Sequence, residues 1–517
     1  MPVVLAVLCA AQFMVVLDVS VVNVALPSIQ RALGFDAAHL AWVGNAYALT
    51  FGGLMLLGGR LADLYGHRRV FAAGLVVFTV AGLGGGLAEA PGWLIAARAG
   101  QGVGAAVLAP ATLTILTSAF PEGARRTRAI AVWTAVSLAG GTTGNLVGGA
   151  LTEFLSWRWT LLINVPIGLA CLAAIRRLAP GPDRRGGQGE RDGHGGHGGH
   201  GGHSGRSGRR LDVLGAVLAT GGLAALACGL SGGLPDAPAV TPAAPAATPA
   251  AFAFAPAVTL VAVFGGVVLL GLFALVEVRV ARAPLIPPSL LRPRAIWLGN
   301  VTMLLAGACL NPMWYFLTLS LQNVLGYGPL LTGLAFLPHT VLTMLVGLRL
   351  TPWLMLRVDH RVLVAAGALA GAAGFWWQSG IAPGQGYLTA VLGPAVLISL
   401  GGGLLNTPLT VMVTSGVAPA DAGAASGLLN TAKQVGGALG LAVLVALTAA
   451  PGGGPAPAHV PAAGYGDAFA AIAVVLTAVA VLAVALPRRR DGTPAAPRGS
   501  ETSGESGVTS PPGRTSP

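Results

Sequence analysis

Apolar residues run along this 517-residue chain in blocks of roughly twenty, broken by short stretches that carry most of its arginines. A helix rises about 1.5 Å per residue, so such a block crosses a hydrocarbon core about 30 Å thick. The pattern predicts fourteen spanning helices, near residues 3–25, 39–57, 70–88, 93–118, 129–150, 159–176, 211–233, 256–278, 295–320, 330–350, 362–380, 387–412, 423–448 and 466–486. No water reaches backbone groups inside lipid, so each span must satisfy its own N–H and C=O groups as a helix. The fold class that follows is an all-α polytopic membrane protein.

Three stretches break the pattern. Residues 179–210 form a Gly/Arg/His tract in which His194, His197, His200 and His203 recur every third position. A tract so poor in apolar groups cannot form a core, and it is expected to be a flexible linker. Its histidines are ligand types for a metal, but compositional drift gives the same repeat, and no metal site is assigned. Residues 235–255 are expected to be a disordered Pro/Ala-rich loop, and residues 487–517 a disordered polar tail. The linker divides the chain into a six-helix bundle (1–178), a two-helix insert (211–280) and a second six-helix bundle (295–486), a 6+2+6 arrangement.

Composition agrees: 54% of residues are hydrophobic and 9% charged, against roughly 25% charged in soluble domains. The net charge of +12 does not indicate nucleic acid, because the cations lie in loops. Arg60, Arg68, Arg69, Arg125, Arg126, Arg128, Arg176, Arg177, Arg349, Arg357, Arg361 and the arginines of the linker and tail fall on one side, with only Arg31 and Arg158 on the other. That asymmetry predicts both termini in the cytoplasm and a multi-pass protein of the cell membrane. Cys9, Cys171, Cys228 and Cys309 all lie in apolar runs, where thiols act as small hydrophobes and imply no disulfide framework. The first run has no preceding cation and contains Asp18, which argues for a retained span over a cleaved signal peptide.

The stretch Gly58-Gly59-Arg60-Leu61-Ala62-Asp63-Leu64-Tyr65-Gly66-His67-Arg68-Arg69 is expected to be a tight turn at the membrane surface. Its glycines would let two helix ends approach, and Asp63 would face the positive N-terminus of a neighbouring helix. It resembles the loop 2–3 signature of the major facilitator superfamily at Gly59, Leu61, Asp63, Gly66, Arg68 and Arg69. Other stretches resemble the fourteen-span drug:proton antiporters of that superfamily. They are Leu17 to Pro27 in span 1, Arg98 to Ala105 in span 4, Trp157-Arg158-Trp159, Asn164 to Gly168, Gln322 to Tyr327, and Ala425 to Leu428. The resemblance implies the major facilitator fold, proton-coupled efflux of a small hydrophobic or cationic drug, and a conformational gate at Gly59, Asp63, Gly66, Arg68 and Arg69. It also implies that Asp63 meets the start of span 13, near Asp421. The span 5 antiporter pattern keeps Gly140, Gly144, Gly148 and Gly149 but has Asn145 where the family has proline, which removes a kink and adds a polar amide.

Charges within spans are costly unless paired or wet, roughly 2.5 to 3.5 kcal/mol each at the bilayer centre. Asp18 lies roughly 22 Å from the inner end of span 1, and Arg98 roughly 8 Å below the outer surface in span 4. In a core about 30 Å thick these depths coincide, so the two form a candidate pair. Asp18 and Arg98 are therefore the candidates for proton coupling or substrate charge, with a fixed structural ion pair as the alternative. Lys433 in span 13 suggests helix packing and gating. Of the aromatics Tyr47, Trp133, Trp314, Tyr315, Trp376 and Trp377, the residues after Pro312, Trp314 and Tyr315, are the candidates to contact a drug. His339 suggests a helix-packing hydrogen bonder.

No enzyme chemistry is indicated. Gly84-Gly85-Gly86 and Gly401-Gly402-Gly403 sit inside apolar runs, and Lys433 lacks the flanking residues of a phosphate-binding loop. The expected function is a proton-gradient-driven exporter of drugs or antibiotics, acting as a monomer in the bilayer with no cofactor. A carrier of an endogenous metabolite, siderophore or lipid is the alternative.

Overall fold

The structure is a computed structural model that describes residues 2–120, 123–175, 213–230, 249–279, 290, 293–414, 417, 422–448 and 462–486. Among them every regular element is helical, and each of the fourteen predicted segments holds a helix. The 179–210 tract, the tail 487–517, the loop at 235–248 and Asp421 lie outside the described residues. Among the described residues ten helical stretches are long and apolar enough to cross a membrane, three of them formed by consecutive elements (Arg294–Asn323, Pro329–Met355 and Leu388–Thr414), and Trp159–Ala174 and Leu214–Leu230 are shorter apolar helices.

The first half holds α1 (Pro2–Leu33), α2 (Ala37–Leu40), α3 (Trp42–Tyr65), α4 (His67–Gly86), α5 (Pro91–Ala119), α6 (Ala124–Phe154), α7 (Trp159–Leu162) and α8 (Asn164–Ala174). Then come α9 (Val213–Leu230) and α10 (Pro249–Arg279), which pack as a pair. The second half is α11 (Arg294–Leu310), α12 (Met313–Asn323), α13 (Pro329–Leu345), α14 (Thr351–Met355), α15 (His360–Gln378), α16 (Gly393–Thr414), α17 (Ala422–Thr448) and α18 (Ala462–Val484). π-helical turns at Val346–Leu350 and Leu388–Leu392 join α13 to α14 and lead into α16.

Three boundaries differ from the sequence expectation. The glycine-rich stretch at 58–69 is not a turn: α3 runs to Tyr65, Gly66 alone reverses the chain at φ 91°, and α4 starts at His67. Gly58 is a packing glycine, because a Cβ there would run into the carbonyl of Ala106 on α5. α1 continues past Pro27 to Leu33. Pro27 leaves the Asn23 carbonyl without its i→i−4 donor, and the neighbouring Val24 carbonyl accepts a hydrogen bond from Gln322 Nε2 of α12 at 2.9 Å. α10 begins at Pro249, inside the expected loop, where proline at the first helical position followed by alanines favours a helix.

Glycines set how closely the helices approach, since lipid offers no hydrophobic force between them. On α6, a Cβ on Gly140 would lie 3.1 Å from Phe13 O, on Gly144 2.6 Å from Ser20 Cβ, and on Gly148 2.7 Å from Val21 O, so one face of α6 is a groove for α1. Gly149 points the other way, its added Cβ 2.6 Å from Pro329 O of α13. Gly333 of α13 in turn sits against the Asn145 carbonyl. α6 thus grips its own bundle with one face and the second half with another, and it is unbroken through the buried Asn145.

Gly148→Val is accordingly expected to lower the folded yield and melting temperature in detergent, since overpacking costs about 1–3 kcal/mol. Gly141→Ala is the control, because its methyl would sit 3.9 Å from the nearest atom. Equal thermal stability of the two variants would show that the α1–α6 contact is loose.

The buried cores follow the same division. One cluster, including Leu8, Met14, Phe71, Phe78 and Leu108, lies wholly in the first half. Another joins Val24, Leu26 and Ile29 of α1 to Phe316, Phe375 and Phe469 of the second half. A third ties Leu223 and Ala227 of α9 to Trp42 and Leu49 of α3 and Ala438 of α17. α10 leaves Leu260, Val261 and Phe264 exposed on its outer face, Phe264 at 71%, which suits contact with acyl chains.

Candidate functional site

Asp18 lies midway along α1, and both of its carboxylate oxygens accept hydrogen bonds from protein side chains. Arg98 Nη1 of α5 donates to Asp18 Oδ2 at 2.5 Å. Gln101 Nε2 donates to Asp18 Oδ1 at 2.8 Å and Asn164 Nδ2 to the same oxygen at 2.6 Å. Arg98 Nη1 also donates to Gln101 Oε1 at 2.8 Å, its Nε donates to the Val43 carbonyl at 3.0 Å, and its guanidinium stacks 4.6 Å from the centre of the Tyr47 ring. Both charges are buried, Asp18 at 0% and Arg98 at 1% exposure. A buried pair repays its desolvation only when such further hydrogen bonds satisfy both partners, and here four helices supply them.

Small residues make this convergence possible. Gln101 follows Arg98 by three residues and shares its helix face. A Cβ on Gly102 would run into Thr50 on α3, and one on Gly104 would lie 2.7 Å from Phe78 N on α4, so α5 sits close against both helices. Asn164 is the first residue of α8, where the break after α7 frees its side chain to turn toward α1. Gly82 on α4 leaves room beside it, since a Cβ there would lie 3.3 Å from Gln101 Nε2 and 3.6 Å from Asn164 Cβ.

Beside the network a cavity of about 910 Å³ opens between the two halves, lined by α1, α3, α5, α6, α12 and α17 with the α11–α12 link. Arg98 and Tyr47 line it; Asp18 does not. Pro312 separates α11 from α12, and this break turns Asn311, Trp314 and Tyr315 onto the cavity wall. Trp314 packs edge-on against Phe336 at 5.3 Å and against His339 at 5.1 Å. His339 is held by Ser399 Oγ at 2.8 Å and does not reach the cavity. Trp133 and Tyr47 also line the wall, whereas Trp376 (65% exposed) and Trp377 (50%) face outward.

The remaining sequence candidates divide between gate and frame. Gly59 and Arg60 line one end of the cavity. Gly66 is the α3–α4 turn, Arg68 is half-buried and Arg69 exposed on the first turn of α4. Asp63 lies in the last turns of α3, but its side chain and the residues at 418–421 fall outside the described residues. Gly140, Gly144, Gly148, Gly149 and Asn145 are frame residues of α6 and line no part of the cavity. The cavity end away from Arg60 is closed by Gln322 against Val24, Gly149 against Pro329, and Gly333 against Asn145.

Gln101 and Asn164 are site residues that sequence reasoning did not single out, although both fall in stretches it quoted. Among the described residues no group of three or more His, Cys, Asp or Glu side chains is placed to hold a metal.

Comparison with known proteins gives the same architecture. The chain is 52% identical over 486 residues, 94% of its length and 92% of the relative's, to the cephamycin export protein CmcT of Amycolatopsis lactamdurans. It is 41% identical over 446 residues, 85% of its length and 80% of the relative's, to the puromycin resistance protein pur8 of Streptomyces alboniger. Among solved structures it superposes on an auto-inhibited POT family peptide transporter with a TM-score of 0.63, covering 95% of this chain and 99% of that one at 15% identity. The model of the Major Facilitator Superfamily matches residues 8–441, a range that contains the Asp18 network, the α6 groove and the whole cavity lining. The chain belongs to the Major Facilitator Superfamily.

Proposed function

We propose that the protein is a proton-gradient-driven exporter of antibiotics or similar small drugs across the cell membrane. The observation that carries this reading is a buried Asp18–Arg98 pair, held by further hydrogen bonds, that abuts a large aromatic-walled cavity through its arginine alone. The names of the export and resistance relatives point to antibiotics as the substrate class. With the arginine-rich loops in the cytoplasm, the cavity end at Arg60 faces inward and the state is inward-facing. Drug enters there and contacts Trp314, Tyr315, Trp133 and Tyr47. The two bundles, 1–178 and 295–486, then rock about the α1–α12 and α6–α13 contacts, with the 211–280 insert carried alongside.

Coupling works through the pair. A proton on Asp18 cancels its charge, and Arg98 loses its carboxylate partner. The guanidinium, already on the cavity wall, then changes the energy of the two access states, so protons taken up outside and released inside drive drug outward. Asp18 is shielded from the cavity, which favours proton carriage over direct contact with a substrate cation.

The experiment is accumulation of the cephamycin antibiotic cefoxitin, the drug class in the name of the export relative, in everted membrane vesicles containing the protein. Uptake is expected to follow the proton gradient and to collapse with a protonophore. Uptake unaffected by the protonophore would refute gradient-driven export.

Gating is assigned to the α3–α4 turn, with Asp63 meeting the start of α17 in the outward-facing state, a charge–dipole contact worth up to about 2 kcal/mol. Asp63→Asn is expected to slow turnover while sparing expression. Unchanged turnover would leave the turn a purely topological role.

A further inference from the structure

We propose that Lys433 is an anion-binding subsite of the cavity and that the preferred substrates carry a carboxylate or comparable monoanion. The inference rests on the export reading for the identity of the cavity as the drug site, and it adds the charge class of the drug.

Lys433 is the one lysine among the thirty basic residues of the chain. It lies eleven residues after the start of α17 (433 − 422), about 16 Å into the membrane. An ammonium at that depth costs several kcal/mol unless water or an anion meets it. Lys433 lines the cavity, and among the described residues its side chain makes no ion pair or hydrogen bond. This separates it from Arg98, whose charge is matched by Asp18. Among the described residues the charged side chains lining the cavity are Arg60, Arg98 and Lys433, with no aspartate or glutamate.

The placement of Lys433 is enforced by backbone packing. Cβ atoms on Gly436 and Gly440 would collide with the Leu304 and Ala308 carbonyls of α11, and one on Gly307 of α11 with the Lys433 carbonyl. α17 and α11 therefore meet backbone to backbone, and Asn311 Nδ2 adds a bond to Lys433 O at 3.3 Å. α17 cannot roll to carry the ammonium away from the cavity. Along the same helix Ser426, Asn430 and Gln434 also line the cavity at helical spacing, so the cation stands in a polar stripe of a cavity whose wall also holds Tyr47 and Trp133. Such a wall accepts an apolar ring system while the stripe takes a single negative group. A substrate cation would find no counter-charge there.

The test uses the full chain in nanodiscs and measures binding of cefoxitin, a monoanionic cephem carboxylate, and of its neutral methyl ester. Wild type is expected to bind the acid about tenfold or more tightly over the ester, the size of one charge-assisted hydrogen bond. Lys433→Met is expected to weaken the acid to the level of the ester without changing ester binding, which also reports that the cavity is intact. Lys433→Arg is expected to keep the preference. A wild type that does not favour the acid, or a preference that survives Lys433→Met, overturns the subsite. Acid preference in a protein that shows no gradient-driven efflux of cefoxitin would refute the export reading and leave the subsite standing.

Discussion

Asp18→Asn is expected to abolish proton-driven efflux, a loss of at least about a hundredfold. The carboxylate receives three donors, Arg98 Nη1, Gln101 Nε2 and Asn164 Nδ2. An amide supplies one acceptor oxygen and turns an NH2 group toward a donor, so at least one of these contacts becomes a donor–donor clash. Arg98 is then a buried cation without a counter-charge, and removing one partner of such a pair costs about 3–5 kcal/mol. That penalty falls on stability; the loss of gradient-driven efflux, about 2.8 kcal/mol or more at a hundredfold, follows because an amide carries no exchangeable acidic proton. The cavity wall at Trp314 and Tyr315 is untouched, so downhill drug exchange without a gradient should persist. Measuring gradient-driven efflux and downhill exchange side by side separates coupling from structure. Parallel loss of both, with a collapsed melting temperature, would mean that the pair only holds the helices together.

Arg98→Lys is expected to reduce coupled efflux by at least about tenfold with little change in drug affinity. Arg98 uses Nη1 for both Asp18 and Gln101, uses Nε for the Val43 carbonyl, and lays its plane over Tyr47. A single ammonium on a flexible stem cannot reproduce that fork and stack. Bonds involving a charged group are worth about 1.5–3 kcal/mol each, and losing one accounts for the expected effect. Coupled efflux at the wild-type level would show that any positive charge at this depth suffices.

The helical architecture was legible in the sequence because about twenty apolar residues in a row have one physical solution in lipid. The Asp18–Arg98 contact was legible too, since depth along two antiparallel spans is arithmetic and an unpaired intramembrane charge must find a partner. Gln101 was within reach, three residues after Arg98 on the same face. Asn164 was not, because its role depends on a break between two short helices that hydropathy averages over. The Gly58-Gly59 pair misled in a specific way. In water such a pair signals a turn, whereas here Gly58 lets α3 lie on the Ala106 carbonyl. The expected end of span 1, at residue 25, also falls short, since α1 continues through Pro27 to Leu33.

The aromatic wall shows what hydropathy cannot supply. Trp133 and Trp376 look alike in sequence, each a tryptophan in an apolar run, yet one lines the cavity and the other faces outward. Helix rotation decides between them. That rotation is set by glycine contacts such as Gly148 on Val21 and Gly374 on Ile398, which become visible only once the partner helices are known. Lys433 is the same case, since its significance comes from the side chains that several helices bring to the cavity wall around it.

The most direct test of the central claim, that Asp18 behind Arg98 carries the proton, is reconstitution of wild type and Asp18→Asn in proteoliposomes under an imposed pH gradient. Transport of one anionic and one neutral drug is followed at several pH values, with the content of folded protein matched. The account predicts uphill transport by wild type that scales with the gradient, and only gradient-independent equilibration of both drugs by Asp18→Asn. If Asp18→Asn pumps both drugs with the wild-type pH dependence, Asp18 is a structural member of an ion pair and the proton travels elsewhere.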